Sequence, residues 1–143
     1  MLQADRTDSR LKYSIKSGVE NVDVKKVCEM LSKTYWGHRR PLDRLEIAIK
    51  NSLCYSAYVQ DKNEQKIVGF GRVLTDYATF AYFTDVIVDD NYRHQGIGTA
   101  LMESMRNDDR IKGCYGALST TDAGSFYATM GFEEDKTFKS RIL

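Results

Sequence analysis

Residues 81–105 limit the possible folds of this chain most, because an apolar run and an amphipathic run meet there at a glycine-rich turn. Residues 81–88 are mostly aromatic or β-branched, which predicts a short buried strand. The residues after the turn predict a helix with one small or apolar face, formed by Ile97, Ala100, Leu101, Ser104 and Met105. The stretch is therefore predicted to form a strand, a turn and a helix.

The turn itself has the composition of an anion-binding site, with Gly96 and Gly98 at the start of the predicted helix and Arg93 just before them. A helix begins with unpaired N–H groups and a partial positive charge. Glycine has no Cβ, so a phosphate can approach the backbone closely, and Arg93 adds a positive charge nearby. These residues indicate a pyrophosphate-binding turn.

Two common phosphate-binding patterns do not fit this turn. The dinucleotide-binding fingerprint requires a third glycine or alanine where Leu101 stands, and no acidic residue closes a following strand. The P-loop requires a Gly-Lys-Ser/Thr sequence, which is absent here. A glycine-rich connection that binds nothing is the alternative that these residues alone leave open.

The composition is typical of a soluble globular protein, with 42% hydrophobic and 29% charged residues. A length of 143 residues predicts one domain over 1–143, with residues 1–10 frayed. The net charge of +1 gives no general attraction to nucleic acid or to an anionic membrane, so neither is an expected partner. The three scattered cysteines form no metal-type pairs, so we expect no metal site and a reduced, cytoplasmic setting.

Apolar spacing and turn residues predict the remaining elements. Strands are expected at 11–16, 53–59, 66–74, 114–119 and 132–142, and helices at 24–31, 42–50 and 123–130. The 53–74 stretch is an antiparallel hairpin, whereas a strand-helix-strand unit over 86–119 requires parallel strands. The fold class is therefore α+β, or mixed α/β, with helices on both faces of the sheet and a slot where strands part.

A second pattern downstream, taken with the turn, resembles the GNAT N-acetyltransferases. Residues 93–98 are similar to the family's Arg/Gln-x-x-Gly-x-Gly/Ala turn, which holds the pyrophosphate of acetyl-coenzyme A (acetyl-CoA). The second pattern joins an alanine, an apolar-tyrosine pair and a Gly-Phe pair, here Ala123, Phe126, Tyr127, Gly131 and Phe132. The resemblance implies a central, mostly antiparallel mixed sheet with splayed middle strands, and acetyl-CoA as co-substrate.

The resemblance also implies which residues contact the coenzyme. The implied set is Val86, Ile87, Val88, Arg93, His94, Gln95, Gly96, Ile97, Gly98, Thr99, Thr120, Ala123 and Tyr127. Backbone N–H groups of 86–88 would also stabilise the oxyanion. Many members carry asparagine at the position of Thr120, whose hydroxyl still allows a hydrogen bond.

Acetyl transfer needs a neutral amine and a proton for the thiolate that leaves. Tyr127 matches the family's acid tyrosine, and a phenol of pKa about 10 is protonated at neutral pH; its alternative role is packing. Asp85, a carboxylate in an apolar strand, is the candidate base, with a structural ion pair as the alternative. Tyr82 and Thr84 can instead order a water molecule.

The acceptor site is implied to lie among the first two helices and the loop after the hairpin. The candidate residues are Tyr35, Trp36, Arg39, Arg72 and Asp76. Arg39 or Arg40 can bind a substrate carboxylate, or they form a solvated pair beside a structural tryptophan. These residues favour a small-molecule amine or amino acid as acceptor. The alternatives are a protein acetyltransferase and a non-catalytic acyl-CoA module, and family habit allows a homodimer.

Overall fold

The protein is described by a computed structural model over residues 12–34 and 40–143. Its strands are β1 (Tyr13–Ser17), β2 (Leu53–Asp61), β3 (Glu64–Thr75), β4 (Phe80–Val88) and β5 (Tyr115–Leu118). Its helices are α1 (Val24–Ser32), α2 (Leu42–Lys50), α3 (Ile97–Arg106) and α4 (Gly124–Ala128). The fraying predicted for residues 1–10 lies outside the described residues.

The five strands form one sheet in chain order, from β1 to β5. Strands β1 to β4 are antiparallel to one another in sequence. The last pair, β4 and β5, is parallel, as the strand-helix-strand prediction required. The β4–β5 pairing ends where Phe83 meets Leu118, although β4 continues to Val88. In the described sheet, residues 84–88 of β4 therefore have no partner on β5, and this end of β4 extends beyond the pairing of the two strands.

Helices cover both faces of the sheet because each carries one apolar side. One core joins α3 to the sheet and includes Leu101, Met105 and Phe83. The other core packs α1 and α2 on the opposite face, through residues such as Val27 and Leu45. The mixed, mostly antiparallel sheet with helices on both faces, expected from the sequence, is confirmed.

A bulge at Asp85 interrupts the alternation of side chains along β4. The pairing with β3 shifts at this point, from Thr84 opposite Arg72 to Ile87 opposite Phe70. Asp85 has a φ of 55°, in the left-handed region that non-glycine residues rarely adopt. Phe83 and Ile87 would share a face in a regular strand, yet they lie in different cores.

The final strand predicted over 132–142 is wrong, since residues 132–143 contain neither a helix nor a strand. Asp135 makes a local turn, because its carboxylate accepts hydrogen bonds from the N–H of Thr137 at 2.9 Å and from its hydroxyl at 2.5 Å. The segment is held by aromatic contacts, such as Phe138 against Phe80. Aromatic content predicted a strand, but these rings pack on the sheet without joining it.

Among the described residues, no helix has the length and hydropathy that a membrane span requires.

Candidate active site

The glycine turn begins α3 with free backbone donors. Gly96 is the N-cap residue, with a left-handed φ of 86° and no side-chain capping bond. The first helical hydrogen bond runs from the N–H of Ala100 to the carbonyl of Gly96, at 3.0 Å. The N–H groups of Ile97, Gly98 and Thr99 therefore have no backbone acceptor within the described residues, which is the arrangement that binds an anion at a helix start.

The surroundings of this turn suit a diphosphate. A Cβ on Gly98 would lie 3.8 Å from both Val88 and Phe126, so the bare backbone faces the space between β4 and α4. The exposed Arg93 guanidinium pairs with Asp90 at 3.1 Å. An exposed ion pair of this kind is weak, so Arg93 can turn to an anionic ligand at little cost. His94, with a φ of 64°, is exposed beside it.

Tyr127 lies across this space from β4, on the short helix α4. Its ring is half-buried and packs edge-on against Phe126 and Phe132, with centroid distances of 5.0 and 6.3 Å. Burial raises the pKa of Tyr127 above its ordinary value, and the negative charge of Asp122 adds to this. The phenol is therefore protonated at neutral pH, as a general acid requires.

Thr120 makes a local hydrogen bond that the sequence did not indicate. Its hydroxyl oxygen accepts a hydrogen bond from the N–H of Ala123 at 3.0 Å, immediately before α4. The hydroxyl proton is still available to a ligand. Thr120 and Ala123 are thus placed together at the end of β5, where the second sequence pattern predicted a coenzyme contact.

Asp85 is the centre of a buried ion-pair network. Its side chain is fully buried, and its two oxygens accept hydrogen bonds from Arg40 Nη1 and, at 2.7 Å, from Arg72 Nε. Arg72 also donates to Ser52 Oγ at 3.0 Å. Both carboxylate oxygens are therefore engaged by guanidinium groups, and Asp85 ties the chain before α2 to the middle of the sheet.

The predicted acceptor residues have separate outcomes. Tyr35, Trp36 and Arg39 lie outside the described residues. Arg72 is buried against Asp85, whereas Asp76 is exposed and accepts hydrogen bonds from the N–H groups of the turn that follows it, at 2.7–3.2 Å. The Thr79 hydroxyl and these N–H groups hold the pKa of Asp76 well below its usual value. Its visible role is to shape the turn before β4.

Arg40, which the sequence offered with Arg39 for a substrate carboxylate, instead joins this network, and its pairing with Asp85 was not predicted. Its partner, Asp85, lies 45 residues away, and no local pattern connects the two. Its side chain remains 30% exposed, so part of the guanidinium faces solvent. No group of three or more metal-binding side chains occurs within residues 12–34 and 40–143.

Cavity size does not identify the site. The larger cavity, of about 360 Å³, lies beside the C-terminal end of α3 and is lined by Ile15, Ser17, Tyr55, Glu103, Ser104, Asn107 and Asp108. A smaller hollow of about 40 Å³ adjoins Val88 and Arg93. The start of α3 is the better candidate for a coenzyme site, because the free N–H groups and the end of β4 that does not pair with β5 are there.

Comparison with known proteins decides the family. Residues 50–134, more than half of the chain, match the model of the acetyltransferase (GNAT) domain. The chain belongs to the GNAT acetyltransferase family. The resemblance stated from the two sequence patterns is thereby confirmed, and the model's range contains both of them.

Relatives within the family cover nearly the whole chain. Histone acetyltransferase TAP1 of Glycine max is 31% identical over 94% of this chain and 62% of its own length. GCN5-related N-acetyltransferase 2, chloroplastic, of Arabidopsis thaliana is 27% identical over 94% of this chain and 59% of its own length. The chain thus spans about three fifths of these curated relatives.

A solved structure matches over almost its full length. The crystal structure of a GNAT-family protein from Xanthomonas campestris pv. campestris has a TM-score of 0.85 and is 30% identical. The match covers 94% of this chain and 96% of that one. This GNAT domain therefore has the family's α+β fold.

Proposed function

We propose that this GNAT domain moves an acetyl group from acetyl-CoA to a primary amine, by direct attack within a ternary complex. One observation carries the proposal. The unpaired N–H groups of Ile97, Gly98 and Thr99 lie beside the part of β4 that β5 leaves free. A diphosphate bound at these N–H groups would direct the rest of the coenzyme along the unpaired edge of β4.

The residues of the site suit that ligand. The N–H groups at the start of α3, with the charge of Arg93, would hold the diphosphate. The free edge over Val86, Ile87 and Val88 would bind the extended arm as an added strand does and offer N–H groups to the carbonyl oxygen. Bound acetyl-CoA supplies an activated acetyl carbon as its thioester.

Tyr127 is proposed as the general acid that returns a proton to the coenzyme sulfur. Its ring lies on α4, in the same apolar cluster as Val88, and its raised pKa keeps it protonated. Asp85 as general base stays a prediction. The two guanidinium groups on its oxygens favour a structural role instead. The alternative base is a water molecule that Tyr82 or Thr84 orders.

The acceptor is proposed to be a small-molecule amine or an amino acid. The partly exposed Arg40 beside Asp85 supports an acceptor with an anionic group. The name of the Glycine max relative, a histone acetyltransferase, favours a second candidate, which is an amine of a protein, either a lysine side chain or an N-terminus. Homodimer formation, a cytoplasmic location and the absence of a nucleic-acid or membrane partner stay predictions.

An acceptor panel tests the proposal directly. Purified protein is mixed with acetyl-CoA and with amino acids, small amines or lysine-containing peptides, and a thiol-reactive dye reports free CoA. We expect amine-dependent release of CoA with a small amine that carries an anionic group. Release with peptides alone would favour protein acetylation. CoA binding without thiol release from any amine would indicate a binding module without catalysis.

A further inference from the structure

Tyr13, on the edge strand β1, contacts the glycine turn that begins α3. The hydroxyl of Tyr13, on β1, donates a hydrogen bond to the carbonyl oxygen of Gly96 at 3.2 Å. The two residues are 83 positions apart in the sequence, and Tyr13 is 7% exposed. A buried hydroxyl from the far edge of the sheet therefore reaches the residue that starts α3.

The accepting carbonyl belongs to the peptide group that also presents the first free donor of the turn. The carbonyl of Gly96 and the N–H of Ile97 are the two ends of one planar unit. A hydrogen bond accepted at the carbonyl polarises that unit and strengthens its N–H as a donor, by about 10–30% per bond. Tyr13 thus acts on the N–H group that would face the diphosphate.

The same contact restrains the backbone conformation of the turn. Gly96 has a φ of 86°, and His94 has a φ of 64°, so two residues of this turn are left-handed. Gly96, the N-cap residue, provides no side-chain capping bond at the start of α3. The Tyr13 hydroxyl and the N–H of Ala100 both donate to the Gly96 carbonyl, and together they fix its direction.

We propose that Tyr13 is a positioning residue for the coenzyme: its hydroxyl orients and polarises the Gly96–Ile97 peptide group that binds the diphosphate. This inference rests on the proposed function, because it assumes that acetyl-CoA binds at this turn. Tyr13 touches no reacting atom. Its effect should therefore appear in coenzyme affinity and be absent from the chemical step.

Tyr55 offers a matched control on the same face of the sheet. Its hydroxyl donates to Asp108 Oδ2 at 2.5 Å, just beyond the other end of α3. Tyr55 is 2% exposed, and it packs in the same core as Tyr13. Tyr55→Phe thus removes a comparable buried hydroxyl contact that is remote from the glycine turn.

The experiment compares wild type, Tyr13→Phe and Tyr55→Phe with two acetyl donors, acetyl-CoA and acetylpantetheine, which lacks the diphosphate. Calorimetry gives the Kd for CoA, and thermal unfolding confirms that each variant is folded. We expect Tyr13→Phe to raise the Kd for CoA and the KM for acetyl-CoA roughly three- to tenfold. Its kcat and its KM for acetylpantetheine should match wild type, and Tyr55→Phe should change neither donor.

The contrary outcomes are separable. An unchanged Kd in Tyr13→Phe, or an equal loss with acetylpantetheine, would overturn the positioning role and leave the proposed function intact. An equal loss of CoA affinity in Tyr55→Phe would show that general stability causes the effect. Wild-type protein that bound no CoA would contradict both the proposed function and this inference.

Discussion

At the scale of single residues, Tyr127 has the environment that a proton donor needs. Its ring packs against two aromatic rings, and burial together with the charge of Asp122 raises its pKa above the ordinary value of a tyrosine. An acid works only while it is protonated, so a raised pKa moves the loss of activity to higher pH. Tyr127 should therefore stay protonated at neutral pH, and the loss of turnover that its ionisation causes should come at a higher pH than for an ordinary tyrosine.

Tyr127→Phe should lower kcat by about 10²- to 10⁴-fold while the Kd for acetyl-CoA stays close to wild type, because only the proton donor is removed. Asp122→Asn serves as the control, since it removes one cause of the raised pKa and keeps the phenol. Its alkaline limb should move to lower pH in a kcat–pH profile. Full turnover in Tyr127→Phe would exclude the acid role.

Ser56 has the least favourable polar environment among the described residues. Its side chain is fully buried on β2, and its hydroxyl has no hydrogen-bond partner within the described residues. A buried hydroxyl without a partner costs free energy, which a methyl group of similar size would not.

Ser56→Ala should leave the free energy of unfolding unchanged or raise it by about 1 kcal/mol. Ser52→Ala is the matched control, because its hydroxyl donates to the Ala48 carbonyl at 2.6 Å and accepts from Arg72. That control should lose about 1–3 kcal/mol. Urea unfolding measures both, and a clear loss in Ser56→Ala would reveal a hidden partner.

At the scale of elements, the bulge in β4 explains how a carboxylate becomes the centre of two ion pairs. The left-handed backbone of Asp85 turns its side chain to Arg72, on the face that α1 and α2 cover. Arg40 then closes over it from the segment before α2. The two ion pairs thus offset the cost of the left-handed backbone at Asp85, and that backbone in turn places the carboxylate between the two guanidinium groups.

Asp85→Asn should lower the free energy of unfolding by about 3–5 kcal/mol, because it leaves Arg72 buried without its counter-charge. The double variant Asp85→Asn/Arg72→Met keeps a residue that tolerates the left-handed backbone, removes both charges and should recover part of that loss in urea unfolding. The acid limb of the pH–rate profile of Asp85→Asn tests the base hypothesis separately. An unchanged limb would assign Asp85 to structure alone.

At the scale of the whole molecule, the predictable features are those encoded locally. The α3 turn was readable because its glycines and Arg93 are close in sequence, and α2 was expected at 42–50 and observed there. Features that depend on distant partners were not readable. The Asp85 network and the Tyr13–Gly96 contact join residues 45 and 83 positions apart, and the 132–142 strand failed because Asp135 forms a local turn.

The proposed function depends on coenzyme binding at the start of α3, so the most direct test observes the backbone N–H groups there. A ¹⁵N-labelled sample of the protein is titrated with CoA, and the amide resonances are recorded at each step. The N–H signals of Ile97, Gly98 and Thr99 are predicted to shift most, because the diphosphate would accept their hydrogen bonds. Unmoved signals at these three residues, with shifts confined to another surface such as the cavity beside Asn107, would contradict a coenzyme site at this turn.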